Sequence, residues 1–138
     1  MKKLLIVSHG TLAEGIIESA KVILGDFVSA ESCCLKVGMG IEEFEKNISE
    51  IVKVYKATDE IIVLADLKGG SPYRATISAL SEKDLINNSF ILTGVNLPMV
   101  ISVLMKDEIT KEDINEIMYQ AKEGIDIFEL ETDDNDDL

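Results

Sequence analysis

Short apolar runs alternate along this chain with longer segments whose apolar residues recur at helical spacing. The first run covers residues 3–8, and the strongest one covers residues 60–67 with the sequence EIIVLADL. Residues 11–24 and 41–57 each carry one apolar stripe, as amphipathic helices do. Strands that alternate with helices are typical of βαβ units, in which neighbouring strands run parallel. The order of elements therefore predicts an α/β fold with an open, mainly parallel sheet and helices on both faces.

The remaining segments continue the same order. Further strands are expected at residues 32–37 and 89–93, and further helices near Pro72, at Pro98 and over residues 110–123. Thr11 and Glu14 have the spacing of a capping box at the start of the first helix, and Thr110 and Asp113 mark the start of the last one. Residues 125–131 are predicted to form a fifth strand. Nothing in the sequence indicates a second domain. We therefore expect one domain over residues 1–131, followed by an acidic, disordered tail at residues 132–138.

The composition of the chain excludes several classes of function. Its formal net charge is −13 and Arg74 is its single arginine, so it lacks the clustered cations that bind nucleic-acid phosphates. No apolar run approaches the roughly 20 residues that a membrane helix needs, and no signal peptide is recognisable. Cys33 and Cys34 are adjacent, and one histidine cannot complete a zinc site with them. These features predict a cytoplasmic protein with reduced thiols, no metal and no cofactor.

Three unusual stretches follow predicted strands. They are SHGT at residues 8–11, DLKGGSP at residues 66–72 and TGVNLP at residues 93–98. In open parallel sheets, ligands bind beyond the carboxyl ends of the strands, where the N-termini of the following helices also lie. The fold therefore predicts that all three stretches meet at one edge of the sheet and form the functional site.

His9 is the only histidine in the chain. An isolated histidine at the end of a strand is often half buried, with its ring bonded to a backbone carbonyl group. The alternative is a reactive imidazole, because a helix is expected to begin near Thr11 and helix N-termini attract anions. The same positive potential favours the neutral ring, in which one nitrogen is free to act as a nucleophile. The position of His9 beside a helix N-terminus favours this second interpretation.

Asp66 follows a run of six mostly apolar residues, where a carboxylate needs a partner because burying it alone is costly. Two partners are compatible with the sequence. One is the set of N–H groups in the Gly-Gly turn that comes next. The other is the Nδ1 hydrogen of His9, and that bond would leave the lone pair on Nε2 free.

The KGGSP turn also has two interpretations. Ser71 as N-cap and Pro72 as the first helical residue would explain it as a helix start alone. Gly69 and Gly70 would equally allow backbone N–H groups to approach a tetrahedral anion, with the Ser71 hydroxyl beside them. The spacing of a P-loop is missing.

Asn96 and Pro98 repeat the pattern of a capping residue followed by proline after the fourth strand. The neighbouring apolar residues are expected to line the edge of the site. They are Leu97, Pro98 and Met99.

Taken together, the motifs resemble one family. SHG at residue 9, LADLKGGSPYRAT at residues 64–76 and TGVNLPM at residues 93–99 are similar to those of the IIA component of the mannose-family bacterial sugar phosphotransferase system. The likeness extends from residue 3 to about residue 130. No single motif is specific, but their order and spacing are.

The resemblance implies a phosphohistidine carrier. By this likeness His9 accepts a phosphoryl group from the carrier protein HPr and passes it to the cognate IIB component, which serves the membrane components IIC and IID. Asp66 matches the carboxylate that orients the histidine, and Ser71 matches the hydroxyl near the phosphoryl group. The resemblance also implies a homodimer in which an antiparallel C-terminal strand, here residues 125–131, is exchanged.

The strand ends and helix starts provide two further groups of expected site residues. The expected phosphoryl-binding backbone comprises Gly10, Thr11, Gly69 and Gly70, and the expected partner-docking rim comprises Pro72, Arg74, Asn96, Leu97, Pro98 and Met99. Arg74 is a departure, because the family commonly has asparagine there. The identity of the sugar is therefore left open.

Three other functions share part of this pattern. Histidine phosphatases have Arg-His-Gly after the first strand, whereas residue 8 is serine here and no second histidine exists. The phosphotransfer subunit of dihydroxyacetone kinase resembles this fold, but it usually reads Ser-His-Ser and lacks GGSP. A regulatory module that signals through the phosphorylation state of His9 remains open as an added role.

Overall fold

A computed structural model describes residues 1–131. Its sheet consists of four parallel strands, which lie side by side in the order Glu31–Leu35, Lys2–His9, Glu60–Ala65 and Ser89–Thr93. The elements of this part of the chain are β1 (Lys2–His9), α1 (Leu12–Leu24), β2 (Glu31–Leu35), α2 (Ile41–Val52), β3 (Glu60–Ala65), α3 (Ser71–Glu82), a 3₁₀ turn (Ile86–Asn88), β4 (Ser89–Thr93), α4 (Leu97–Leu104) and α5 (Lys111–Glu123). This arrangement confirms the predicted α/β fold with an open parallel sheet. Within the described residues, no helix is long and apolar enough to cross a membrane.

Strand β1 lies at the centre of the packing. Its odd and even residues point to opposite sides of the sheet. Leu4 and Ile6 belong to a buried cluster with side chains of α1, α4 and α5. Leu5 and Val7 belong to a second cluster with side chains of α2 and α3. Because full burial of each such side chain contributes about 1.5–3 kcal/mol, the strand that ends in His9 is held firmly in place.

Helix α2 is shorter than the sequence predicted. It ends at Val52 rather than near residue 57. The chain turns there, and Asp59 accepts a hydrogen bond from the Lys56 N–H at 2.8 Å. The turn carries Tyr55 into the core, where its hydroxyl donates to Glu31 at 2.7 Å. The contacts of Tyr55 and Asp59 thus end α2 at Val52, although the helical spacing of apolar residues continues beyond it.

The capping box predicted for α1 is absent. Thr11 makes no side-chain capping bond with α1. The buried hydroxyl of Ser8, which belongs to β1, instead accepts the Ala13 N–H at 2.9 Å. By contrast, Thr110 and Asp113, which the sequence placed at the start of α5, form the reciprocal bonds of a capping box there.

Residues 125–131 are not paired as a strand within the single chain, where the sequence predicted a fifth strand. Their apolar side chains lie exposed rather than against the core; these are Ile125, Ile127, Phe128 and Leu130. Within residues 1–131, strand β4 pairs with β3 alone and its other edge is free. The acidic tail expected at residues 132–138 lies outside the described residues.

Candidate functional site

His9 is the last residue of β1 and lies at the carboxyl edge of the sheet, as the sequence predicted. Its side chain is 45% exposed. The backbone beside it is fixed on both sides, because β1 pairs with β2 and with β3. Gly10 follows with a φ of +61°, a conformation that glycine adopts at little cost, and its N–H donates to Leu35 O at 2.8 Å. The strand thus presents an accessible imidazole on a rigid base.

Asp66 holds this imidazole in one orientation. Its Oδ2 atom accepts the His9 backbone N–H at 2.8 Å and lies 3.0 Å from His9 Nδ1. A carboxylate oxygen accepts only, so the proton belongs on Nδ1 and the lone pair on Nε2. The expected contact between Asp66 and Nδ1 is therefore present. The other interpretation, a carboxylate bonded to the Gly-Gly turn, is wrong, because the Gly70 N–H donates to Leu67 O.

The second oxygen of Asp66, Oδ1, is buried and has no hydrogen-bond partner among the described residues. The Asp66 side chain is only 13% exposed. Its charge is therefore stabilised mainly through Oδ2 and the two donors of His9. A positive charge that develops on the imidazole has this carboxylate as its direct counterion.

Gly70 packs directly against the imidazole. A Cβ atom at this position would lie 2.8 Å from His9 Cε1 and 3.4 Å from Nε2. The absence of a side chain at Gly70 thus allows the ring to occupy its place beside Asp66. The sequence predicted that Gly70 binds the phosphoryl group but did not reveal this contact, because the path of the turn over the ring is set only by the packing of the folded chain.

Backbone donors remain at the start of the two helices that flank His9. The N–H groups of Gly10, Ala13 and Gly70 are used within the protein. Those of Thr11 and Ser71 have no acceptor among the described residues. They lie at the N-termini of α1 and α3, where the helix dipole favours an anion.

Ser71 is the first residue of α3 and not its N-cap, so the predicted capping role was wrong. Gly70 occupies the cap position with extended backbone angles, φ −73° and ψ 169°. The Ser71 side chain is exposed, and its hydroxyl forms no hydrogen bond among the described residues. That hydroxyl is free to contact a ligand at the helix N-terminus.

The predicted rim divides into exposed and buried members. Arg74 is exposed, and Leu97 and Pro98 are half buried. Met99, only 1% exposed, packs in the cluster with α1 and α5, and Pro72 is buried too. The expectation that Met99 and Pro72 contact a partner was therefore wrong, because the first turns of α3 and α4 direct them into the protein.

Asn96 ties two helices together. Its Oδ1 accepts the Met99 N–H at 2.9 Å, which confirms the predicted N-cap of α4. Its Nδ2 also donates to Ala121 O in α5 at 2.8 Å, a contact that the sequence did not reveal. The residue accordingly fixes the start of α4 beside the C-terminal turn of α5.

A set of exposed apolar side chains, which the sequence did not predict to belong to the site, also lies at this edge. Leu12, Val37 and Leu67 are 48%, 100% and 59% exposed, and they follow β1, β2 and β3 respectively. Their signal in the sequence is an apolar residue just beyond a strand end. Apolar side chains around an exposed imidazole suit contact with a protein surface more than with a small polar molecule.

The fold and site define a class of protein: a parallel α/β domain with an exposed histidine, oriented by a carboxylate, at the carboxyl edge of its sheet. The family model EIIA-man, described as PTS system fructose IIA component, matches residues 3–122. The chain therefore belongs to this family, the mannose/fructose IIA components of the phosphotransferase system.

Individual relatives agree with this assignment. The fructose-specific EIIA component of Bacillus subtilis is 26% identical over 83% of this chain and 77% of its own length. The mannose-specific EIIAB component of Escherichia coli K12 is 28% identical over 74% of this chain, but the match spans only 31% of that longer protein. The mannose/sorbose-specific IIA subunit of Enterococcus faecalis has a solved structure that superposes with a TM-score of 0.81, at 25% identity, covering 96% of this chain and 98% of its own.

Proposed function

We propose that this protein carries a phosphoryl group on His9, taking it from phosphorylated HPr and passing it to the IIB component of a sugar phosphotransferase system. The observation that carries the proposal is the bond between His9 Nδ1 and Asp66 Oδ2 at 3.0 Å. It leaves the unprotonated Nε2 on a side chain that is 45% exposed. An accessible nucleophile in a fixed orientation is what a phosphoryl acceptor requires.

The transfer balances with the residues present. Nε2 of neutral His9 attacks phosphorus as the P–N bond to the donor's protonated phosphoimidazole breaks, and the donor ring leaves with the electron pair as a neutral imidazole. His9 then bears the phosphoryl group on Nε2 and keeps its Nδ1 proton, so the ring becomes cationic beside Asp66. Transfer to IIB reverses these changes. No net proton is exchanged with solvent.

The phosphoryl oxygens require donors, and the flanking helices supply them. We assign the N–H groups of Thr11 and Ser71, with the Ser71 hydroxyl, to the equatorial oxygens. Gly69 and Gly10 contribute through the shape of their turns. Phosphoryl transfer needs positioning and charge stabilisation more than covalent machinery, so no metal or cofactor enters this mechanism.

The partners follow from the exposure of the site. Each partner brings its own imidazole to His9, so the site stays open and is bordered by Leu12, Val37 and Leu67. Arg74, Asn96, Leu97 and Pro98 complete the proposed docking surface. In this role the protein acts in the cytoplasm, and phosphoryl flow through IIB drives sugar uptake through IIC and IID.

We further infer a homodimer formed by strand exchange. The apolar residues of segment 125–131 are unpartnered in the single chain, and β4 offers a free edge. The segment of one chain pairing antiparallel with the sheet of a second chain would satisfy both. Exposed apolar segments and free strand edges both favour non-specific association, and this pairing would cover both.

The proposal is tested by labelling. Purified protein is incubated with phosphorylated HPr, and intact mass and phosphohistidine are measured for the wild type, His9→Ala and His9→Gln. We expect one phosphoryl group per wild-type chain and none on either variant, with unchanged circular dichroism. Labelling of His9→Ala at the wild-type level would overturn the proposal, as would an unlabelled wild type. Addition of candidate IIB proteins then identifies the acceptor by loss of the label.

A further inference from the structure

Arg74 is bound to the Gly-Gly turn that packs on His9. Its backbone N–H donates to Gly70 O at 3.0 Å, and its Nε donates to Gly69 O at 2.7 Å. Two consecutive carbonyl groups of the turn are thus held by one residue. The only arginine in the chain lies at its functional site.

The direction of the side chain brings the guanidinium toward the start of α3. Helical side chains lean toward the N-terminus of their helix, and Arg74 lies in the first turn of α3. One terminal nitrogen, Nη2, lies 4.0 Å from the position of a Cβ on Gly69. The position of a Cβ on the next residue, Gly70, lies 3.4 Å from His9 Nε2. Guanidinium and imidazole therefore contact adjacent residues of the same turn.

The charges around Arg74 leave its cation available. A guanidinium has five N–H donors, and only the one on Nε is engaged among the described residues. No carboxylate of the described chain lies within 4.0 Å of it. Glu45 borders the same surface hollow without forming an ion pair. In a chain of net charge −13, a guanidinium with no ion pair among the described residues, bound to the turn that packs on the imidazole, is suited to an anionic ligand.

Among the described residues, no cation forms a hydrogen bond or an ion pair with His9. Asp66 is the only charged group bonded to His9 among the described residues, and it is negative. A phosphoryl group on Nε2 adds two further negative charges, offset within the ring by one positive charge. Backbone N–H groups carry only partial charges. A guanidinium with four free N–H donors supplies a full charge and a geometry that matches phosphoryl oxygens.

We propose that Arg74 binds the phosphoryl group on His9 through its terminal amino groups while its Nε remains on Gly69 O. This inference rests on the proposed function and adds a residue to it. Arg74 donates hydrogen bonds only: it neither gains nor loses a proton, and the P–N bonds form and break between the two imidazoles as described above. It stabilises the phosphorylated state and the transfer.

Two variants separate the charge from the fold. Arg74→Met keeps an unbranched side chain and removes all five N–H donors. Arg74→Lys keeps the positive charge but lacks the planar guanidinium group. Lys68→Met is the matched control, since Lys68 is an exposed cation in the same turn. Each protein is phosphorylated with HPr and freed from it, after which the ³¹P chemical shift and the rate of spontaneous phosphohistidine hydrolysis are measured. Neither readout involves a docked partner.

We expect Arg74→Met to move the ³¹P resonance, to change the hydrolysis rate at least about threefold and to slow transfer from HPr about tenfold or more. Arg74→Lys should recover part of each effect, and Lys68→Met should resemble the wild type. Slower transfer with an unchanged ³¹P shift and hydrolysis rate would show a docking role and overturn the proposal. A lower melting temperature alone, with wild-type readouts, would show a structural role and overturn it as well. A wild-type protein that accepts no phosphoryl group would instead overturn the proposed function.

Discussion

Asp66 uses one oxygen to hold His9 twice. Oδ2 accepts the backbone N–H of His9 at 2.8 Å and lies 3.0 Å from its Nδ1. The two contacts fix the main chain and the ring of the same residue, so the carboxylate sets the orientation and the tautomer together. The other oxygen, Oδ1, has no partner among the described residues, so His9 provides all the hydrogen bonds that the carboxylate accepts there.

We expect Asp66→Asn to slow phosphoryl transfer about 100-fold or more while leaving the fold intact. The amide oxygen can still accept from the two N–H groups, but it carries no charge to stabilise the cationic phosphorylated ring. The measurement is the initial rate of labelling by phosphorylated HPr. Asp107→Asn, which removes the same charge from an exposed position, serves as the control. A normal rate for Asp66→Asn would make this aspartate purely structural.

Gly70→Ala tests the contact between the turn and the ring. The added methyl group would lie 2.8 Å from His9 Cε1, so the ring must move away and lose its alignment with Asp66. We expect transfer to fall at least about tenfold, because small displacements of a reacting group are costly. The extended backbone of Gly70 accommodates alanine, so the melting temperature should change little.

Gly15→Ala is the matched control for that substitution. Gly15 lies inside α1, and a Cβ there meets nothing within 4 Å. Replacing glycine by alanine in an exposed helix interior stabilises by about 0.5–1 kcal/mol. Chemical denaturation should show this gain with an unchanged transfer rate. If Gly15→Ala and Gly70→Ala affected transfer equally, the ring contact would not be the cause.

Asn96→Ala should lower the free energy of unfolding by about 1–3 kcal/mol. The substitution removes the N-cap of α4 and the bond to Ala121 O in α5. Asn96→Asp separates the two contributions, because it keeps an oxygen for the Met99 N–H and loses only the donor. Urea denaturation of the three proteins gives the values. Equal stability of Asn96→Ala and the wild type would contradict this account of how α4 and α5 are joined.

Cys33 should react slowly with alkylating reagents. Burial, with a smaller contribution from the adjacent Cys34, raises the pKa of its thiol to about 11. At pH 8 only about one molecule in a thousand carries the thiolate that reacts. We expect iodoacetamide to modify Cys33 at least about 100-fold more slowly than free cysteine, as followed by mass spectrometry of a Cys34→Ala variant. Modification at the rate of free cysteine would refute the assignment.

The same thiol gives a pH dependence of defined sign. In the unfolded chain Cys33 ionises near pH 8.5, whereas in the folded protein it stays protonated to about pH 11. The folded state therefore binds more protons in this window, and the free energy of unfolding should fall as pH rises through it. Replacing Cys33 with alanine should make this fall shallower. An unchanged slope would assign the alkaline loss of stability to other groups.

Light scattering should give a particle of twice the 15.2 kDa chain mass. A variant truncated after Gly124 removes the exposed apolar segment that we assign to the exchanged strand. We expect this variant to be monomeric at micromolar concentration with its helices retained. A full-length protein that is monomeric under these conditions would contradict strand exchange, and a dimeric truncated protein would place the interface elsewhere.

The sequence determined the order of elements and the location of the site. Apolar runs and amphipathic stripes predicted a parallel α/β fold, because buried parallel strands require continuous apolar residues and helical crossovers. The position of His9 and Asp66 after two such runs was enough to place both at the same edge of the sheet. Asn96 and Thr110 were recognisable as N-caps because capping is local in the chain.

Which groups meet at the site and in the core depends on tertiary packing. Ser8 caps α1 in place of Thr11, Tyr55 leaves the helical periodicity to enter the core, and Met99 faces inward rather than toward a partner. Gly70 against the His9 ring, and Arg74 across the Gly-Gly turn, depend on how β3 and α3 lie beside β1. Periodicity and capping act over a few residues, whereas these contacts join residues that only the packing of strands and helices brings together.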